Sequence, residues 1–201
     1  MLILPINCKV NKVIPKKAFY ERIDISSKVK EKFINIIEKI IWLYKISEDT
    51  INIKKTENVE EIEVFRLELK KDEDVKDIIK IITKNIPYKI LFIITFEEKK
   101  KYAIKYEDDI FITEWNENIS ININSLTLEE LYKDLIRKIN KIDNNNDLEI
   151  EINKAKKIEQ INKDIERLES KLKKEKQFNL KVDINKEIIN KKMELEELLN
   201  E

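Results

Sequence analysis

The stretch IEVFRLELKK (62–71) decides the fold, because its apolar and charged side chains alternate along the chain. One face carries Phe65, Leu67 and Leu69, and the other carries Ile62, Val64, Arg66, Glu68 and Lys70. This period of two residues predicts a β-strand. The next run, YKILFIITF (88–96), follows Pro87 and is apolar on both faces, which predicts a central strand of the same sheet.

Three shorter segments extend this sheet. KYAIKY (101–106) and DIFITEW (109–115) predict two further strands in a meander, and TINIK (50–54) predicts a short strand. We therefore expect an α+β domain in residues 1–142, with a mixed sheet of about five strands packed with helices.

Three amphipathic helices complete the predicted domain. Ser26 or Ser27 is predicted to cap a long first helix. Its broad apolar face carries Val29, Phe33, Ile36, Ile37, Ile40, Leu43 and Tyr44. A second helix is predicted from Asp72, and a third begins at Thr127, with Glu130 in the capping-box position.

The polar segment DNNND (143–147) separates this domain from a charged helical region, residues 148–201. A narrow apolar seam runs through Ile161, Ile165, Leu168 and Leu172, as in a coiled coil. The seam loses its phase at residues 174–183 and then resumes. Both a helical hairpin and a continuous helix with a stutter fit this change of phase. We interpret the four seam residues as a surface for dimerisation or partner docking; the alternative is a hairpin that buries them.

The absence of certain residue types excludes several kinds of chemistry. The 201 residues include no glycine and no histidine, and Cys8 is the only cysteine. Phosphate-cradling glycine loops, Ser-His and Cys-His nucleophiles and disulfides are therefore ruled out. No signal-peptide pattern is visible. We expect a cytoplasmic protein with no nucleotide cofactor and no membrane contact.

Glu68 and Lys70 are the strongest candidates for catalysis. An acid and a lysine two residues apart on a strand point the same way, as in PD-(D/E)xK nucleases. Asp49 is the candidate second Mg²⁺ ligand, and Glu38 is a candidate third participant. Magnesium is expected only under this nuclease hypothesis; otherwise we expect no cofactor and no metal. The alternative is a solvated, charged strand face, which is common in a chain with 40% charged residues.

A second candidate site is the basic stretch near the N-terminus. Lys9, Lys12, Lys16, Lys17 and Arg22 lie close to Phe19 and Tyr20. Lysine and arginine contact phosphates, so these residues are candidates for nucleic-acid binding. The alternative is a solvated basic face above core aromatics.

Several stretches together resemble a known family. The most specific are IPKKAFYE (14–21), PYKILF (87–92) and KEKQFN (174–179). Their order and spacing resemble the bacterial family catalogued as domain of unknown function 4391, over nearly the whole chain. Members of that family tend to be encoded beside DNA helicases and DNA methyltransferases in restriction-like or phage-defence gene clusters. The family transfers no catalytic residue to this chain.

Two functional hypotheses follow. The resemblance implies an accessory role near DNA processing, and the first hypothesis is an interaction subunit that binds a helicase or methyltransferase. The seam of the C-terminal helices also allows a homodimer, and the basic stretch allows contact with DNA. The alternative is a Mg²⁺-dependent PD-(D/E)xK-like nuclease that uses Asp49, Glu68 and Lys70.

Overall fold

The structure, a computed structural model, describes residues 4–21, 25–143 and 147–200. Within these ranges one six-stranded sheet forms, and its strands follow one another in chain order. The strands are β1 (Lys9–Ile14), β2 (Ile37–Ser47), β3 (Glu61–Leu69), β4 (Lys89–Phe96), β5 (Lys99–Tyr106) and β6 (Asp109–Ile112).

The sheet is mixed. Strands β3 and β4 pair in parallel, and every other neighbouring pair is antiparallel. Parallel neighbours need a crossover, which helix α4 (Lys76–Asn85) supplies. The alternating segment and the doubly apolar segment lie side by side as β3 and β4. The predicted α+β fold is confirmed, with six strands rather than about five.

One hydrophobic core forms where helices cover the sheet. Helices α1 (Lys17–Tyr20) and α2 (Ser27–Asn35) join α4 in this cluster. Its buried members include Phe19, Phe33, Phe65, Leu67, Ile78, Ile79, Ile82 and Phe92. Helix α5 (Leu128–Asn140) packs against β5 and β6, and Thr127 caps it as predicted.

The long first helix predicted from Ser26 or Ser27 to Tyr44 is wrong beyond Asn35. The helix ends there, and Ile37–Ser47 is strand β2, which pairs with both β1 and β3. The spacing of Phe33, Ile36, Ile37 and Ile40 imitates a helical face. However, the run is rich in β-branched isoleucines, and pairing on both sides outweighs the local pattern.

The strand predicted at residues 50–54 is also wrong. Residues Glu48–Ile51 form a short helix, α3, which begins with a capping box between Ser47 and Thr50. Asn52 ends it in the left-handed conformation, with φ of 56°. Asparagine tolerates this conformation better than most residues, so the segment turns instead of extending. Only Lys54 makes an isolated bridge, to Thr127.

The C-terminal region is a helical hairpin. Helices α6 (Leu148–Lys174) and α7 (Phe178–Asn200) pack against each other, so the alternative of one continuous helix is wrong. The chain divides into two compact units, residues 1–144 and 145–201. None of the described helices is long and apolar enough to cross a membrane.

Candidate functional site

Glu68 lies near the carboxyl end of β3, and Lys70 is the first residue after the strand, so the two do not share a strand as predicted. Each side chain also has a partner already. The Glu68 carboxylate pairs with Arg66 at 2.9 Å and lies 4.0 Å from the Lys39 ammonium. The Lys70 ammonium donates a hydrogen bond to the Ile34 carbonyl at 2.9 Å. Lys70 therefore binds the end of α2, while Glu68 pairs with basic residues of its own sheet.

Asp49 does not join these two residues. Asp49 lies in α3, a helix that begins directly after Ser47, and Ser47 pairs with Glu61 at the start of β3. Glu68 is seven residues further along β3, or roughly 23 Å at the rise of a strand. Oxygen ligands of one metal ion lie only about 2.0–2.6 Å from it. The predicted grouping of Asp49 with Glu68 is therefore wrong.

No other metal-binding group takes its place in the described ranges. They contain no cluster of three or more histidine, cysteine, aspartate or glutamate side chains that could hold a metal ion. Glu38, the predicted third participant, is an exposed residue of β2.

Two of the N-terminal lysines lie on an edge strand of the sheet. Lys9 and Lys12 are exposed on β1, an edge strand, and the register shifts between them. Asn11 has a φ of 53° at this irregularity. Lysines and bulges on an edge strand hinder its pairing with a strand of another chain. Protection of this sheet edge is therefore a structural role for Lys9 and Lys12.

The remaining basic candidates have different surroundings. The Lys16 ammonium donates to the Ile37 carbonyl at 2.8 Å. Partial burial and the neighbouring Lys70 ammonium lower the pKa of Lys16. Lys17 is exposed in α1, and Arg22 lies outside the described residues. Nucleic-acid binding by this stretch stays a prediction.

The predicted partner-binding seam is turned inward. Ile161, Ile165 and Leu168 are only 2%, 8% and 8% exposed. Leu168, with Leu172 beside it, packs against Ile184 and Ile188 of α7. A partner cannot reach these residues while the hairpin is closed. The seam holds the hairpin together, as the alternative interpretation of this pattern stated.

A different apolar surface is exposed on α7, and sequence reasoning missed it. Val182, Ile189 and Met193 are 38%, 50% and 56% exposed. We call these three residues the α7 stripe. At about 100° per residue, their spacing of seven and four confines them to an arc of roughly 40°. The sequence did contain this signal, because the three residues recur at helical spacing on a different face of α7 from Ile184 and Ile188.

A cleft lies at the opposite end of the sheet from Glu68. Its volume is about 450 Å³, and it is lined by residues that include Asn58, Lys89, Tyr106, Tyr132 and Lys133. The Lys89 ammonium lies 5.6 Å from the centroid of the Tyr132 ring. Lys133 pairs with Glu129 at 2.8 Å, and the Tyr132 hydroxyl donates to the Lys105 carbonyl. These charges and donors satisfy one another, so the cleft offers no evident reactive group.

The profile of the family described as "Domain of unknown function (DUF4391)" matches residues 2–195. The chain belongs to this family. No curated protein and no solved structure matches the chain.

The extent of the DUF4391 match bears on the C-terminal hairpin. The matched residues cover nearly the whole chain, including both compact units and all of the α7 stripe. The match to the DUF4391 family therefore includes most of the hairpin as well as the residues of the six-stranded sheet.

Proposed function

We propose that this chain is an accessory interaction subunit of a DNA-processing system of the restriction or phage-defence type. In this role it binds a larger helicase or DNA methyltransferase, which is the class of partner that the family resemblance implies. The observation that supports a binding role is the α7 stripe. The helix already buries Ile184 and Ile188 against α6, yet it leaves a second apolar face exposed.

The stripe has the composition and spacing of a helix that docks into a groove. Apolar anchors at i, i+7 and i+11 lie along one face of the helix. Methionine is enriched at protein interfaces, and exposed aliphatic positions that recur along one face mark interaction surfaces. Burial from full exposure contributes roughly 1.5–3 kcal/mol for such a side chain, and these three are 38%, 50% and 56% exposed. A matching groove therefore gains about half of that for each residue, before the costs of association.

Charge beside the stripe favours a different protein over a second copy. Lys186 lies four residues after Val182 and three before Ile189, which places it next to both. A two-fold axis through the middle of the stripe brings the two copies of Lys186 together. Like charges at that position oppose self-association, whereas a partner with an acidic rim is favoured.

No observation favours the nuclease alternative on the predicted residues. Asp49 and Glu68 lie near opposite ends of β3, and Lys70 is bound to the end of α2. A nuclease needs these three side chains in one site, whereas a binding role does not.

The test is co-expression with a DNA helicase and a DNA methyltransferase of the kind that the family resemblance implies, followed by purification through a tag on this chain. We expect one of them to co-purify with the wild type, and to be lost with Ile189→Glu/Met193→Glu. The matched control is Ile150→Glu, which changes an isoleucine that is 67% exposed on α6. If neither protein co-purifies, or if the control variant loses the partner equally, the proposal is wrong.

A further inference from the structure

The turn between α6 and α7 carries a concentrated positive charge. Five lysines lie between residues 171 and 183, against two acidic residues, Glu175 and Asp183. The lysines are Lys171, Lys173, Lys174, Lys176 and Lys181, and all are exposed. With Phe178, we call them the turn patch. The whole chain has no net charge, so this patch is a local departure from the average.

The lysines of the turn patch differ from others on the same hairpin in forming no ion pair with a carboxylate within 4 Å. Lys157, Lys163 and Lys192 each lie within 4 Å of a glutamate carboxylate. Within the part of the hairpin that the structure describes, the five patch lysines make no such pair. Glu175 accepts hydrogen bonds from the backbone N–H groups of Gln177 and Lys176, which lower the pKa of its carboxyl group, and the Lys171 and Lys181 ammonium groups lower that pKa further. Its carboxylate is therefore held at the turn by the backbone.

Phe178 is the aromatic member of the patch. It begins α7 and is 77% exposed, although Ile184 and Ile188 of the same helix are buried. An exposed phenylalanine gains nothing from folding, because its ring remains in water. Stacking on a nucleobase removes one face of the ring from water and is tolerant of sequence.

We propose that the turn patch binds single-stranded nucleic acid, with the lysines contacting phosphates and Phe178 stacking on an unpaired base. A surface of lysines around an exposed aromatic is the combination by which proteins bind single strands without sequence preference. This inference goes beyond the proposed partner binding and does not depend on it, because it concerns other residues and the isolated chain.

An anionic membrane surface is the other polyanion to consider, and the geometry of the turn disfavours it. A helix that lies in a membrane interface needs one broad apolar face. Phe178 and Leu180, both exposed at the turn, lie about 200° apart around the α7 axis. They point to different sides and cannot enter one interface together. By the same rotation Phe178 lies on the side of the α7 stripe, about 40° from Val182. These exposed side chains span an arc of only roughly 60°, which is narrower than the broad apolar face of an interfacial helix, so a ring surrounded by lysines fits a stacked base better.

The test measures fluorescence anisotropy of labelled oligo(dT), of about 20 nucleotides, with the full chain between about 50 and 200 mM salt. We expect affinity to fall as salt rises. Lys173→Glu/Lys174→Glu is expected to lower affinity at least about 10-fold and to reduce the salt slope by roughly 1.4, for two lost phosphate contacts. Phe178→Ala is expected to lower affinity about fivefold or more without a change of slope, and Phe178→Trp to retain it.

The matched control is Lys157→Glu/Lys163→Glu, which changes the net charge equally on α6, away from the turn. It is expected to leave affinity within about twofold. Helical circular dichroism checks that every variant keeps its hairpin. Oligo(rU) and a duplex are measured in parallel. Binding of either single strand with the expected losses supports the proposal, and their ratio identifies the preferred polymer.

Three results overturn the inference. The first is absence of binding by the wild type at the lowest salt. The second is equal loss in the control, or no loss in Phe178→Ala, which reduces the effect to net charge. The third is binding to phosphatidylserine vesicles, but not to oligonucleotides, with loss in the lysine variant.

Discussion

The indole Nε1 of Trp42 donates a hydrogen bond to Oε2 of Glu63 at 2.5 Å, between neighbouring strands β2 and β3. Glu63 is only 4% exposed. Burial raises its pKa to about 7, although the Trp42 hydrogen bond opposes this shift, and the nearby Glu61 carboxylate adds to it. The sheet therefore holds a carboxyl group that is half protonated near neutral pH.

This carboxyl group makes stability depend on pH. Its pKa is higher in the folded chain than the ordinary value of 4.5, so the folded state binds more protons between these values. The contribution of Glu63 to the free energy of unfolding therefore falls as pH rises from about 4.5 to about 7, and is constant above. At about 1.4 kcal/mol per pKa unit, the total is roughly 3 kcal/mol.

Substitution by glutamine removes this cost. We expect Glu63→Gln to stabilise the protein above pH 7 by up to roughly 3 kcal/mol, and to have little effect below about pH 4.5. The glutamine oxygen still accepts from Trp42. Urea unfolding at a series of pH values measures the difference, with the exposed Glu60→Gln as control. A difference that grows as pH falls contradicts this account of Glu63.

Lys70 is expected to stabilise the fold through the end of α2. Its ammonium binds the Ile34 carbonyl, so Lys70→Met loses about 1 kcal/mol of unfolding free energy. Lys71→Met, at an exposed neighbouring position, is expected to change it by less than about 0.5 kcal/mol. Urea unfolding monitored by circular dichroism compares the two. Equal effects contradict a specific role for Lys70 at the α2 terminus.

The seam and the stripe on the hairpin are expected to respond differently to truncation. Leu168→Ala removes a buried side chain and is expected to destabilise the hairpin by about 2–5 kcal/mol. Ile189→Ala, on the α7 stripe, is expected to change its stability by less than about 0.5 kcal/mol. Hydrogen exchange of α6 and α7 amides measures both. A large loss for Ile189→Ala means that the stripe is needed for folding.

In the two-residue turn between β4 and β5, we expect a glycine substitution to stabilise the protein at Glu97 but not at Glu98. Glu97 has a φ of 52° in a chain without glycine. This conformation costs a residue with a side chain roughly 1–2 kcal/mol, which glycine avoids. We expect Glu97→Gly to raise the free energy of unfolding by up to about 1 kcal/mol, and Glu98→Gly to lower it by a few tenths. Thermal unfolding of both variants measures whether each substitution raises or lowers the stability of the protein.

Strands could be predicted from the sequence where the local pattern of apolar residues matched the burial of the strand in the folded sheet. The alternation around Phe65 and the doubly apolar run around Phe92 identify β3 and β4, because one face or both faces of these strands are buried. The segment after Asn35 was not predictable in this way. Its isoleucines satisfy helical and strand spacing equally, and only pairing with β1 and β3 decides between them.

The candidate functional residues were also only partly predictable, because local spacing does not determine which distant residues come together. Glu68 lies in β3, but the strand ends at Leu69, so Lys70 follows it and does not share a strand face with Glu68. The position of Asp49 depends on the direction of β2 and on the turn at Asn52. The seam on α6 was recognised correctly as an apolar face. What covers it depends on the break at Glu175–Gln177, which folds α7 back onto α6.

Binding through the α7 stripe is the central claim, and calorimetric titration with the co-purifying helicase or methyltransferase tests it most directly. We expect Ile189→Glu/Met193→Glu to weaken the affinity at least about 10-fold, because charge replaces two side chains that become buried. Ile150→Glu is expected to bind like the wild type. Light scattering of the isolated chain is expected to give a monomer. Unchanged affinity of the stripe variant, or a stable dimer that the stripe variant dissociates, contradicts the account.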